Sequence, residues 1–154
     1  MANNDNLISY EYIRGLVEGE GCFTFSSNLR KNKLGEKIKI KIPAFSIEMH
    51  ERDEQLLNLV KNKLKLSNRV YNYKNIGKDR IERGRRAVLI VREFGTLKNI
   101  IIPLFYKKLK GHKNKQFFEW LENIGKYPEV PKSFKLLYQL HKCGFYDKNP
   151  RFLD

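Results

Sequence analysis

The segment Ile13-Arg-Gly-Leu-Val-Glu-Gly-Glu-Gly21 constrains the fold more than any other, because it places two acids and three glycines at the end of an amphipathic run. Gly15 and Gly19 stand four apart and share one helix face, where missing side chains let a second helix backbone approach closely. Cys22-Phe-Thr-Phe25 follows at once with strand-like character, so Glu20 sits where helix gives way to sheet. Unpaired carbonyls make a helix C-terminus locally negative, and an acid there is unfavourable unless a cation neutralises it. The arrangement asks for a metal.

The remaining composition supports a folded, nucleic-acid-directed chain. In 154 residues, 41% hydrophobic content with 12% aromatics is enough for one domain with a proper core and argues against disorder. Lys and Arg number 31 against 17 Asp and Glu, a net charge of +14 that points to a polyanion as partner. The basic residues fall mostly on strand-like and loop segments, not on one helix face, which disfavours a membrane-surface helix. Cys22 and Cys143 lie far apart without paired-ligand spacing, so neither a zinc site nor a disulfide framework is indicated and a reducing compartment fits. Residues 1–6 lack the basic-then-apolar order of a signal peptide, and no apolar run reaches bilayer length. The expectation is an intracellular protein, of cytoplasm, nucleoid or organelle matrix, not secreted.

Along the chain, Ser9 is positioned to cap a helix over 10–19, with Glu11 in its first turn. Residues 23–30 and 37–42 read as a hairpin around the turn at 31–35, with one greasy and one basic face. Pro43 interrupts the pattern, and the apolar parity moves from Ile38, Ile40 and Ile42 to Phe45 and Ile47, as a bulge would produce. A second helix is expected over 53–66, then a strand pair at 69–73 and 83–91 around a polar loop at 75–80. A short helix from Thr96 ends at Pro103, a longer one over 114–124 closes at Gly125, and another over 133–143 follows Pro131. The fold class is α+β, in the order α-β-β-α-β-β-α-α.

The nine residues from Ile13 to Gly21 resemble the LAGLIDADG signature of homing endonucleases. Gly15, Leu16 and Gly21 match outright, and Ile, Arg, Val, Glu, Gly and Glu stand for its first, second, fifth, sixth, seventh and eighth letters. Family-like phrases continue in Phe45-Ser-Ile-Glu-Met-His50 through Asp53-Glu-Gln-Leu-Leu57, and in Leu109-Lys-Gly-His-Lys-Asn-Lys-Gln-Phe117 closing on Trp120. The resemblance implies the αββαββα fold with an antiparallel four-stranded DNA-binding sheet, one repeat per chain. Residues 1–125 would form the endonuclease domain, and residues 126–154 a C-terminal helix and tail packed on it. No second copy of the motif occurs in these residues, and family members with one copy act as homodimers, here through Gly15, Leu16 and Gly19.

The same resemblance implies a site-specific double-strand endonuclease of intron-encoded type, cutting a long near-palindromic target with Mg2+ or another divalent ion such as Mn2+. Carboxylates can hold the metal ions that activate water and stabilise a leaving oxygen. Glu20 is the acid that helix end and motif both single out, with the Gly19 carbonyl as a second metal ligand and Glu18 as a structural acid. Lys113 best matches the family's basic residue near the scissile phosphate, with Lys110 as the alternative. Met49 falls where some relatives carry a polar residue that organises water, a task that either passes to His50 or Glu48 or is dispensable. The expected DNA platform consists of Thr24, Ser26, Asn28, Arg30, Lys37, Lys39, Lys41, Ser46, Arg69, Tyr71, Tyr73, Arg83 and Arg85, because a β-ribbon fits the major groove. The implied partners are double-stranded DNA and a second copy of the chain, with no membrane and no small-molecule cofactor. An intron RNA maturase and a non-catalytic DNA-binding regulator are the alternatives, and the retained acid at Glu20 favours cleavage over both.

Overall fold

The computed structural model describes residues 7–76 and 78–154, apart from the side chains of residues 75, 82 and 83. Residues 1–6, which lack the order of a signal peptide, and the side chain of Arg83 lie outside the described residues. The elements run α1 (Tyr10–Glu20), β1 (Gly21–Lys31), β2 (Lys37–His50), α2 (Glu54–Leu64), β3 (Tyr71–Ile76), β4 (Glu82–Val91), α3 (Phe94–Thr96), a π-helical turn (Leu97–Ile101), α4 (Ile102–Phe105), α5 (His112–Lys126) and α6 (Lys132–Lys142). The four strands form one antiparallel sheet in the order β1-β2-β4-β3. Among the described residues no helix is long and apolar enough to cross a membrane.

The core lies between one face of the sheet and the helices. Phe23, itself half-buried, packs against this core, with ring centroids 5.4 Å from Phe45, 5.6 Å from Phe105, 4.9 Å from Phe117 and 5.4 Å from Trp120. Edge-to-face and tilted pairs of this kind each contribute roughly 0.5–1.5 kcal/mol beyond area burial. Ile13 and Val17 of α1, Leu57 and Val60 of α2, and Leu89 and Val91 of β4 close the same cluster.

Three elements depart from the sequence expectation for identifiable reasons. β2 runs through Pro43 without a bulge, because β1 and β2 keep one register from Gly21↔Ile47 to Lys31↔Lys37, with Phe25 opposite Pro43. The helix that begins before Thr96 passes Pro103, and the turn directly before the proline is π-helical, a local adjustment of the ladder of the kind that accommodates a missing N–H. Gly125 does not terminate α5 but lies inside it. A Cβ there would come within 2.5 Å of the Tyr138 ring of α6, so this glycine serves close helix packing.

The motif helix is fixed at its N-terminal end by residues far along the chain. Ser9 Oγ accepts from Tyr12 N at 2.9 Å, as its capping position predicts. The two carboxylate oxygens of Asp154 accept from Tyr10 N and Glu11 N, each at 2.8 Å. Arg14 is buried and donates to Leu104 O at 2.8 Å, to Phe152 O at 2.7 Å and to Glu11 Oε1 at 2.7 Å. The guanidinium therefore ties the helix to both α4 and the tail.

Desolvation disfavours the charge on Asp154, yet the two backbone donors together with the charges of Lys63 and Arg14 outweigh it and hold its carboxyl below the usual aspartate range. Stability from a depressed carboxyl is full above its ordinary range and is lost as pH falls through the folded value. Asp154→Ala should lower stability by about 1 kcal/mol near neutral pH, the cost of losing a cap, with melting curves converging on wild type in acid. Thermal unfolding by circular dichroism across pH checks this, and a constant gap at all pH values would refute the capping role.

Candidate functional site

Glu18 and Glu20 are two residues apart and meet opposite fates. The Glu18 carboxylate reaches the start of α5, where Oε1 accepts from Lys110 N at 2.9 Å and Gly111 N at 2.5 Å. An acid is favourable there because helix N-termini present unpaired N–H groups and a positive dipole end. Glu20 is the last residue of α1 and is exposed. It lines a pocket of about 170 Å³ together with Met49, His50, Arg52, Asp53 and Arg86. Hence Glu18 joins helices, while Glu20 is left open at a helix end where cation binding relieves its repulsion from nearby carbonyls.

The Glu18 clamp also places the candidate lysines. Lys110 is exposed at the connection that Glu18 holds, and Lys113 lies half-buried in the first turn of α5. Both therefore stand beside the last turn of α1. Next to Met49, His50 lines the pocket and its Nδ1 accepts from Arg52 N at 3.1 Å. Glu48 is otherwise engaged, accepting from the Tyr73 hydroxyl and from Arg86 Nε at 3.3 Å. That hydrogen bond to Glu48, with burial second, raises the Tyr73 hydroxyl above its ordinary range.

Gly15 and Gly19 occupy the face of α1 turned away from the core. A Cβ added at either would meet nothing within 4 Å. Leu16 is half-buried beside them, and Tyr12 on the same side is 49% exposed. Within this chain the glycines relieve no clash, so their smallness is available to something outside it.

Register divides the expected DNA platform between two faces. Directly paired residues share a face and alternate residues leave it, so Thr24, Ser26, Asn28 and Arg30 lie with Ile42, Ile40, Ile38 and Ser46. The pairings Ser46↔Ile90, Glu48↔Val88 and Tyr71↔Val88 extend that face to Tyr71 and Tyr73. Lys37, Lys39 and Lys41 alternate to the opposite, helix-bearing side, contrary to the single basic face expected for the hairpin. Lys41 confirms its side by stacking Nζ 4.3 Å from the Tyr127 ring centroid. Arg85 pairs with Lys74 and also faces that side, whereas Arg69 is exposed in the segment before β3.

In place of Arg85 the platform carries Arg86, directly opposite Tyr73 and His50. Alternation in the sequence pairs Arg83 with Arg85 and passes over Arg86. Counting back from the buried triplet Ala87, Val88 and Leu89 cannot repair this, since all three are buried whichever way they face. Gly84 has φ +92° and lies against the His50 ring, and the β3–β4 register shifts between Lys74 and Ile76, so alternation does not carry unbroken from the loop into β4.

Glu18→Gln removes the negative charge from the α5 N-terminus while keeping an acceptor. It should lower stability by about 1 kcal/mol without dismantling the sheet. A drop in melting temperature with near-native far-ultraviolet circular dichroism is the expected result; unchanged stability would show that the clamp contributes nothing.

Comparison with known proteins places these observations. The LAGLIDADG endonuclease family model matches residues 13–124, from the first residue of the motif to near the end of α5. Among solved structures, the I-LtrWI LAGLIDADG homing endonuclease bound to target DNA is 26% identical, with 90% of this chain and 38% of that chain covered and a TM-score of 0.58. The LAGLIDADG meganuclease I-CpaMI bound to uncleaved DNA is 18% identical, with coverage of 96% and 46% and a TM-score of 0.61. The homing endonuclease I-TnaI is 22% identical, with 88% of this chain and 97% of that chain covered and a TM-score of 0.55. The chain thus spans less than half of the first two proteins and nearly the whole of the third. With the motif helix, the αββαββα order and the four-stranded antiparallel sheet all in register with that match, this chain belongs to the LAGLIDADG endonuclease family.

Proposed function

We propose that this protein is a site-specific double-strand DNA endonuclease that works as a homodimer with a divalent metal ion. The observation that carries the reading is the position of Glu20: an exposed acid at the end of a helix whose glycine face is open, beside a sheet whose outer face mixes polar and aromatic side chains with isoleucines. The net charge of +14 suits a polyanionic substrate, and the relatives solved with DNA support double-stranded DNA as that substrate. Such a role belongs inside the cell, where its target is.

One chain supplies an incomplete metal site. Among the described residues no three His, Cys, Asp or Glu side chains converge to hold an ion. A two-fold packing of α1 on α1 through Gly15, Leu16 and Gly19 would bring a second Glu20 to the axis, giving a set of hard oxygen donors of the kind magnesium or manganese prefers. The Glu20 carboxylate and the Gly19 carbonyl would hold the ion. When bound, it would polarise the phosphate and ease deprotonation of water. Lys113 would neutralise charge developing on the phosphate, and His50 would orient water beside Met49. The sheet would lie in the major groove with Thr24, Ser26, Asn28, Arg30, Ser46, Tyr71, Tyr73 and Arg86 toward the bases. Lys37, Lys39 and Arg69 are better suited to phosphates at the groove margins. Residues 1–125 would form the endonuclease unit, with 126–154 bracing it.

Two measurements test this reading. Sedimentation should give twice the chain mass, and Gly19→Leu should weaken or misalign the pair, because a bulky residue would fill the space for the partner helix. A wild-type monomer that cuts both strands would defeat the dimer assignment. In a single-turnover nicking assay with magnesium, Glu20→Gln should bind a duplex chosen from a randomised library as well as wild type while cleavage falls roughly a hundredfold or more. Cleavage at the wild-type rate would remove Glu20 from the chemistry.

A further inference from the structure

The outer half of the β1–β2 hairpin exposes a row of isoleucines where a basic protein has least reason to place them. β2 pairs with β4 only from Phe45 to His50, so Lys37 to Ala44 form an arm joined in the sheet to β1 alone. On this arm the unbroken register puts Ile38, Ile40 and Ile42 on the outer face, opposite Arg30, Asn28 and Ser26 respectively. Ile38 is 40% exposed, and Ile40 and Ile42 are half-buried. The lysines between them take the other side, although the reverse phase would give the ordinary arrangement of apolar side chains inward and charges outward. A contiguous exposed apolar row flanked by polar groups marks a contact surface.

Its spacing and chemistry suit one occupant. Alternate residues of a strand lie about 6.6–6.8 Å apart on one face, and a two-stranded β-ribbon fits the major groove, so a strand lying there presents this row of side chains to successive positions along the base edges. In that groove the apolar feature of a base edge is the thymine C5-methyl group. Asn28 and Arg30, directly across the hairpin, supply the donors that bases present acceptors for, and the protein's charge favours DNA over an apolar protein partner.

We infer that Ile38, Ile40 and Ile42 read thymine methyl groups in the outer part of each half-site. They would thus determine specificity without a hydrogen bond. This inference rests on the DNA-binding function proposed above.

The test uses the full chain and a duplex it selects from a randomised library. Each thymine is replaced in turn by deoxyuridine, which removes only the methyl group. Affinity should fall about fourfold at thymines beneath the arm and stay unchanged elsewhere. Ile40→Ala should lose discrimination at one such thymine and keep it at the others, and Ile40→Val should retain most of it. Tolerance of deoxyuridine at every position, or equal discrimination by wild type and Ile40→Ala, would overturn the inference while leaving the endonuclease reading intact. So would replacement of all three isoleucines by serine that alters self-association yet leaves thymine discrimination unchanged. Failure to select any duplex would instead overturn the DNA-binding function and this inference with it.

Discussion

The packing of α1 by its inner edge and its two ends, not by its whole circumference, is the constraint on which the rest of the site depends. Of its apolar residues only Ile13 and Val17 are fully buried, too narrow a stripe to set the helix's rotation firmly by area burial alone. Polar contacts supply the difference. The Arg14 guanidinium and Asp154 carboxylate hold the first turn, and Glu18 fastens the last turn to α5. Because those contacts leave the opposite side alone, Gly15 and Gly19 remain bare. A helix centred in its own core could not offer that face to another chain.

Much of this was legible from local signals. The Ser9 cap, the helix-to-strand change at Gly21 and the order of elements follow from short-range rules, which act within the few residues that carry them. Alternation in β2 was equally visible, but alternation yields two faces without saying which one is covered. The deciding facts are non-local: Phe25 opposite Pro43, and Phe23 against helices more than eighty residues away. Reading Pro43 as a bulge moved the isoleucines to the wrong side and brought the lysines to the platform. Gly125 failed in the same way, since its reason is the Tyr138 ring of another helix. The Asp154 cap had no sequence signal at all, as it spans 144 positions.

The edge of β2 illustrates how the fold tolerates its long arm. Beyond Phe45 toward the hairpin tip, β2 loses β4 as a neighbour and would present unpaired backbone groups, an invitation to pair with another chain. The α5–α6 connection intervenes, with Lys41 N donating to Glu129 O at 3.0 Å and Tyr127 lying against both Lys41 and Phe25. Lys135 Nζ in turn donates to Ile124 O, Gly125 O and Tyr127 O at the end of α5, fixing that connection. The residues after α5 therefore brace the β1–β2 arm as well as the motif helix.

This bracing separates two tasks that share one sheet. Close to α1, several outer-face positions are tied to a neighbour: Glu48 binds both Tyr73 and Arg86, and the His50 ring packs against Gly84 at φ +92°. A substitution there disturbs several partners at once, including groups lining the pocket of Glu20. On the arm, Asn28, Arg30 and Ile38 face solvent, and no hydrogen bond of the Asn28 or Arg30 side chain to the rest of the chain is seen among the described residues. Changes at those positions alter what the surface can bind without reaching the acid or its helix. The constrained half of the sheet is thus suited to geometry that must not vary, and the free half to a recognition sequence that can.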